Sequence, residues 1–248
     1  MEQSLGFQDA AGRQINATLT TPDAQTGRGV VLCHGFMGFK DSVTNRTLGR
    51  LLADRGVATL RFDFFGHGRS EGTLHDLLLT TLVGQAESAL TFMRARGFSH
   101  LSLFGASFGG LVAILLASRT PSLRSLALRC PVADFPELLR QQFGRVAVEL
   151  WRRMGTLPAS IGQVPVHGRF YDDCLRYDAF KAASALNVRT LIVHGERDEL
   201  IPVEQVRRLV GCIPVEKEFH VLPGADHRFS SPPDFARMTT LLADWLAR

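Results

Sequence analysis

Short apolar runs alternate with longer amphipathic stretches along most of this chain. The opening "SLGFQD", the turn "AAG" and "RQINATLTT", with Ile15, Ala17 and Leu19 alternating, predict a hairpin. "GVVLCHG" is a continuous apolar run stopping at His34-Gly35, the pattern of a strand buried on both faces. "TNRTLGRLLADRG" sets Leu48, Leu51 and Leu52 on one face, which predicts a helix closed by Gly56. "VATLRFD" reads as a strand leading into a glycine-rich loop, "FFGHGRSEG". Leu82 to Gly97 reads as a helix, "HLSLFG" as a strand, "FGGLVAILLAS" as a helix and "LRSLALRC" as a strand. The tail repeats the alternation: strand "VRTLIVHG", helix "PVEQVRRLVG", strand "EKEFHVLPG" and closing helix "PDFARMTTLLADWLAR".

Strands alternating with helices imply right-handed crossovers and a mainly parallel sheet covered on both faces, an α/β architecture. One region breaks the rhythm. Between Pro131 and about Asp178, "FPELLRQQFGRVAVELWRRM" is amphipathic through Leu139, Phe143, Val146 and Leu150, and irregular "GTLPASIGQVPVHGRFYDDC" follows. A segment this long between strands predicts a lid or inserted cap over residues 131–178, with the core formed by 1–130 and 179–248; a proline-bounded structural excursion is the other reading.

Composition narrows the picture. At 248 residues with 45% hydrophobic content, the chain can bury one large core. The net charge of +4 invites a nucleic-acid partner, but the basic residues are dispersed and cluster only as Arg152-Arg153 and Arg207-Arg208. Phosphate binding wants a stripe or patch, so no nucleic-acid partner is expected. Cys33, Cys130, Cys174 and Cys212 are widely spaced, and "MEQSLGFQDAAG" carries two acids and no apolar core. A cytoplasmic protein with free thiols is the expectation, and no apolar run reaches the length of a membrane span.

The candidate chemistry centres on Gly105-Ala106-Ser107-Phe108-Gly109, a G-x-S-x-G motif between a strand and a helix. In that setting a serine occupies a strained turn above the sheet, and side chains at Gly105 or Gly109 would strike the neighbouring helix and strand. The following helix aims its first amides where negative charge would develop. A serine hydroxyl needs a base, and the base an orienting acid. Asp198 follows the "TLIV" strand and His227 follows "EFHVL", so both belong on loops at the same sheet edge as Ser107. Glu196, Glu199 and Asp134 stay open as the acid; Asp226 adjoins the histidine and is badly aimed to serve it. His220 sits within a strand pattern and reads as packing. His34 and His194 precede glycines at strand ends and read as structural, and the His67 loop reads as a tight turn. No spacing resembles a metal site, and no glycine loop carries a nucleotide fingerprint. Backbone N–H groups of Phe36, in "CHGFMGF", and Phe108 are the expected oxyanion donors. Phe39, Phe135, Phe143, Trp151 and Phe170 are candidates for an apolar substrate pocket, with core packing as the alternative, as it is for Phe64 and Phe65.

Together "HGF" at 34–36, "DFFGHGRSEG", "GASFGG", "HGERDELIP" and "GADHRF" resemble the α/β-hydrolase superfamily over nearly the whole chain. The sequence is most similar to small lidded carboxylesterases of the cinnamoyl/feruloyl-esterase type, with Ala106 where the common elbow has histidine. The resemblance implies a mostly parallel eight-stranded sheet and the chain order Ser, Asp, His. It also implies a cofactor-free serine esterase acting on small-molecule esters of small or aromatic acids. A thioesterase, peptidase, carbon–carbon bond hydrolase, acyltransferase or non-catalytic binding protein of the same fold stays open, as does a homodimer. A serine at the elbow argues against haloalkane dehalogenation and epoxide hydrolysis, where relatives use aspartate.

Overall fold

The computed structural model describes residues 1–156 and 166–248. Strands β1 (Glu2–Gln8) and β2 (Gln14–Thr20) form the opening antiparallel hairpin, with Phe7 opposite Ile15. Then follow β3 (Arg28–Cys33), α1 (Val43–Ala53), β4 (Ala58–Phe62), α2 (Leu79–Ala95), β5 (His100–Ala106), α3 (Phe108–Ala117) and β6 (Leu126–Arg129). Next come α4 (Phe135–Phe143), α5 (Arg145–Met154), α6 (Arg169–Cys174), α7 (Ala179–Ser184), β7 (Thr190–Gly195), α8 (Val203–Cys212), β8 (Lys217–Leu222) and α9 (Pro232–Ala247).

These strands form one eight-stranded sheet in the order β1-β2-β4-β3-β5-β6-β7-β8. β2 pairs antiparallel with β1 and β4, and every later pairing is parallel. The near-continuous apolar strands have their physical reason here: each face is covered by helices. Val30, Leu32, Phe104, Ala127 and Val193 pack with Leu48, Leu52, Met238, Leu242 and Trp245 of α1 and α9. Val31, Leu103, Leu128 and Ile192 point the other way, into a core shared with Leu90, Val112, Val206 and Leu209. Period-two alternation within a strand thus feeds two separate cores.

The strand order places the chemistry. β3 leads through α1 to β4 on one side, whereas β5 lies on its other side. Their carboxyl ends therefore flank a point where the chain departs in opposite directions, and a crevice opens above such a switch point.

The periodicity misjudged several boundaries. α2 begins at Leu79 rather than Leu82, because its first turn is stabilised from a distance: Asp173 accepts the Thr80 N–H at 2.8 Å and the Thr80 hydroxyl at 2.7 Å. α1 ends at Ala53, and Gly56, at φ 73°, closes the turn beyond it. The single amphipathic stretch after Pro136 is two helices, split at Gly144, whose φ of 81° and ψ of 155° no helix accommodates. Part of the stretch read as irregular is helical, as α6; residues 157–165 of that stretch lie outside the described residues. Among the described residues no helix is long and apolar enough to cross a membrane.

Candidate active site

The turn between β5 and α3 is strained at one residue. Ser107 has φ 53° and ψ −119°, a conformation that costs an L-residue about 1–3 kcal/mol and persists only where the surroundings impose it. The Ser107 N–H donates to the Arg129 carbonyl at 2.8 Å, while its own carbonyl accepts from Gly110 at 2.9 Å and Val132 at 3.0 Å. The flanking glycines are obligatory. A Cβ at Gly105 would lie 2.4 Å from the Gly109 carbonyl oxygen, and one at Gly109 would lie 2.3 Å from that of His34. The helix and β3 therefore close in on the elbow from two sides.

Asp198 and His227 come from the loops after β7 and β8. The His227 Nδ1–H donates to Asp198 Oδ2 at 2.8 Å. Asp198 Oδ1 accepts the N–H groups of Leu200 at 2.9 Å and Ile201 at 2.8 Å, which fixes the carboxylate plane. The side chain is 1% exposed. Burial alone raises its pKa; the hydrogen bond from His227, its charge and the Ile201 amide outweigh that, and the net shift is downward. His227 and Ser107 line one cavity, and among the described residues the serine hydroxyl has no hydrogen bond to the imidazole. Such contacts are often long before substrate binds.

The other acids are committed elsewhere. Glu196 accepts the Gly224 N–H, Asp134 caps α4 through the Glu137 N–H, and Asp226 accepts the Ser230 N–H. Glu199, which adjoins Asp198 in sequence, accepts the His227 main-chain N–H at 3.2 Å and so steadies the backbone that carries the imidazole. His220 bonds Glu218 on its own strand.

Facing the serine is the loop after β3. Gly35 packs on it closely enough that a Cβ there would sit 3.2 Å from Ser107 Cβ. Gly38 N–H donates to the Gly35 carbonyl at 3.0 Å, turning the chain through Phe36 and Met37, the latter at φ 54°. His34 braces this loop. Its Nε2 accepts the Phe64 N–H at 3.1 Å, so Nδ1 carries the proton shared with the Gly35 carbonyl at 2.9 Å. Burial, with His67 close by, lowers the His34 pKa to about 3, and the ring is neutral. His194 is likewise held neutral by burial and bonds the Ile201 carbonyl at 3.1 Å. Neither the Phe36 nor the Phe108 N–H has a hydrogen-bond acceptor among the described residues.

The cavity above Ser107 has a volume of about 500 Å³. Phe36, Phe108, Phe135 and Phe143 line it. Phe170 lies behind, fully buried, its ring 5.9 Å from Phe36 and 5.6 Å from both Phe108 and Phe135. The structure departs from the sequence reading at three aromatics: Phe170, which backs the cavity without lining it, Phe39 and Trp151. Phe39 points to solvent, 51% exposed, because it follows the turn that aims Phe36 inward. Trp151 of α5 is buried against Tyr171 of α6, and its Nε1–H donates to the Val166 carbonyl at 2.9 Å. Phe64 and Phe65 belong to the core.

Sequence spacing also missed two neighbours. Arg129, at the end of β6, lines the cavity beside Ser107 and His227. Cys130 follows it at φ 43°, and its sulfur lies within 4.8 Å of the ligand-type atoms of Asp198 and His227. Among the described residues these three form the one group that could hold a metal ion. Burial and the charge of Asp198 push the thiol well above its ordinary pKa, which keeps it protonated and works against the thiolate a metal would need.

A family model described as "alpha/beta hydrolase fold" matches residues 29–156. The chain spans 63% of the length of the first curated relatives it matches, among them an uncharacterized protein of Mycobacterium tuberculosis that is 25% identical over 82% of this chain. A monoacylglycerol lipase of Mycolicibacterium smegmatis is 25% identical, covering 97% of this chain and 95% of the lipase. Among solved structures, Est1E from Butyrivibrio proteoclasticus with bound ferulic acid superposes with a TM-score of 0.86 at 22% identity, over 98% of this chain and 97% of that one.

Proposed function

The chain belongs to the α/β-hydrolase fold family, and on that premise we propose that it hydrolyses carboxylic esters through Ser107, His227 and Asp198. One observation carries the reading: the buried 2.8 Å contact of Asp198 with His227 opens onto the cavity that holds the strained Ser107.

In this mechanism His227 Nε2 takes the Ser107 proton as the hydroxyl oxygen bonds to the ester carbonyl carbon. The carbonyl oxygen, now negative, accepts the N–H groups of Phe36 and Phe108. Asp198 fixes the imidazole tautomer and stabilises its cation. The tetrahedral species expels the alcohol, which receives the proton from His227, and an acyl-serine remains. A water, deprotonated by His227, repeats the sequence and releases the acid. Each oxyanion donor contributes about 3–4 kcal/mol to the transition state in enzymes of this kind.

The proposed substrates are esters of small or aromatic acids. The phenylalanine walls of the cavity support this, as does the ferulic acid held by Est1E. Residues 131–178 would act as a lid that selects the acyl group, since Phe135 and Phe143 bring its aromatic face to the cavity. The test is a panel of acetyl, butyryl, cinnamoyl and long-chain esters, with thioester and anilide analogues, assayed with Ser107→Ala as control. Turnover of cinnamoyl or butyryl esters that disappears in the variant supports the reading. Preferential cleavage of thioesters or anilides redirects it, and turnover that survives in Ser107→Ala defeats it.

A further inference from the structure

The proposed mechanism gives no role to Arg129. Arg129 ends β6 and lines the cavity together with Ser107 and His227. Its Nε is shielded from solvent and donates to nothing; Asp198 and Asp226 act on it through their charge, but among the described residues no carboxylate lies within ion-pair distance of its guanidinium. Every other feature around it is already spoken for. Asp198 is saturated by His227, Leu200 and Ile201, and Asp226 by Ser230. Cys130 carries a protonated thiol.

A second donor shares the condition. Asn45, in the first turn of α1, lines the same cavity at 1% exposure, and its Nδ2 has no acceptor. Arg129 registers with Ala106 and Val193, both of which belong to the core on the α1 side of the sheet. The two donors therefore belong to the same face of the sheet, and both line the cavity. A second cation, Arg228, lies on its rim, and among the described residues no aspartate or glutamate lines it.

A buried guanidinium N–H without an acceptor is costly, as is a buried amide without one. Burial depresses the arginine pKa and the charges of Asp198 and Asp226 offset this only in part, yet guanidinium stays charged at any working pH. An anionic ligand in this cavity would relieve such penalties, and a planar guanidinium fork binds a carboxylate bidentately.

We propose that Arg129, with Asn45, forms an anion-binding subsite, and that the preferred substrates are esters bearing a second, negatively charged group on either the acyl or the alcohol side. This rests on the ester-hydrolase reading and narrows its substrate class. The four phenylalanines hold the uncharged part of the ester, and Arg129 acts as a specificity residue.

The experiment uses two matched pairs with the whole protein. Mono-para-nitrophenyl adipate against para-nitrophenyl hexanoate places the anion on the acyl side. Para-carboxyphenyl hexanoate against para-carbamoylphenyl hexanoate places it on the alcohol side. In one pair the wild type is expected to favour the anion in kcat/KM by about 10- to 100-fold, the range of a hydrogen bond to a charged group. Arg129→Met is expected to bring that ratio near unity, and Arg129→Lys to retain part of it. No preference for either anion, or one that survives in Arg129→Met, overturns the proposal. The same pairs are titrated into Ser107→Ala, where tighter binding of one anion is expected and equal binding overturns the subsite. That titration stands if Arg129→Met fails to fold. It also separates the two claims: if the wild type cleaves no ester, the ester-hydrolase reading fails, while the titration still decides the anion subsite.

Discussion

His227 Nδ1 and Asp198 Oδ2 stand 2.8 Å apart although 29 positions separate them in the chain. The contact exists because β7 and β8 run parallel and adjacent, with Gly195 opposite Leu222, so the loops leaving them emerge side by side. A Cβ at Gly195 would lie 2.5 Å from the Ala225 carbonyl oxygen, so only a glycine lets the loops approach this closely.

Asp198→Asn should therefore be nearly isosteric and still disabling. An amide neither stabilises the imidazolium nor enforces the required tautomer, and kcat is expected to fall by about 10⁴ with the fold intact. Steady-state kinetics beside an unchanged circular dichroism spectrum check this. A loss under tenfold would point to another acid.

The carboxylate also shapes the acid response. Its folded pKa lies below the unfolded value, so its stabilising contribution is complete above the ordinary aspartate range. That contribution is lost as pH falls through the folded value. Urea unfolding of wild type and Asp198→Asn should differ most near neutrality and converge at strongly acid pH.

His34 should affect stability at milder pH. Its pKa falls from 6.5 to about 3 on folding, so the unfolded chain takes up a proton that the folded one refuses. Stability is full above pH 6.5 and should decline toward pH 3, by up to about 1.4 kcal/mol per pH unit from this group. His34→Gln preserves an acceptor and a donor without titrating. Its unfolding free energy should show a shallower slope over that window; an unchanged slope would contradict the assignment.

Gly109→Ala is expected to be among the most damaging single-methyl additions. Its Cβ would meet backbone on two sides, the carbonyls of Cys33 at 2.4 Å and His34 at 2.3 Å, and neither can rotate away. A loss of about 1–3 kcal/mol, the usual range for overpacking, should appear in denaturant titration. Gly84→Ala, where a Cβ meets nothing within 4 Å, is the control expected to be neutral or stabilising.

Phe135 joins the start of α4 to the elbow, its ring 4.8 Å from Phe108 and 5.8 Å from Phe36. Phe135→Ala should lower the ratio of kcat/KM for cinnamoyl over acetyl esters by about tenfold, since an aromatic contact contributes up to about 1.5 kcal/mol. An unchanged ratio would assign the ring to packing alone.

The sheet was legible because parallel strands buried on both faces read as continuous apolar runs, and the loops at their carboxyl ends carry glycines, Ser107, Asp198 and His227. What the periodicity could not reach lies between β6 and β7. Helices α6 and α7 have six residues each, too short for a 3.6-residue repeat to stand out. The start of α2 depends on Asp173, 93 positions away from Thr80. Aromatic content could not separate Phe135 and Phe143, which face the cavity, from Trp151, which faces its own segment, or from solvent-exposed Phe39. Arg129 carries no motif that singles it out; its place in the cavity follows from register with β5 and β7, which a single sequence does not display.

Incubation with a fluorophosphonate probe, followed by intact and peptide mass spectrometry, tests the nucleophile most directly. A single covalent adduct per chain should form on the peptide containing Ser107, be absent from Ser107→Ala and form far more slowly in His227→Ala. An unlabelled protein, or an adduct on any other residue, would contradict the assignment of Ser107 as the attacking group.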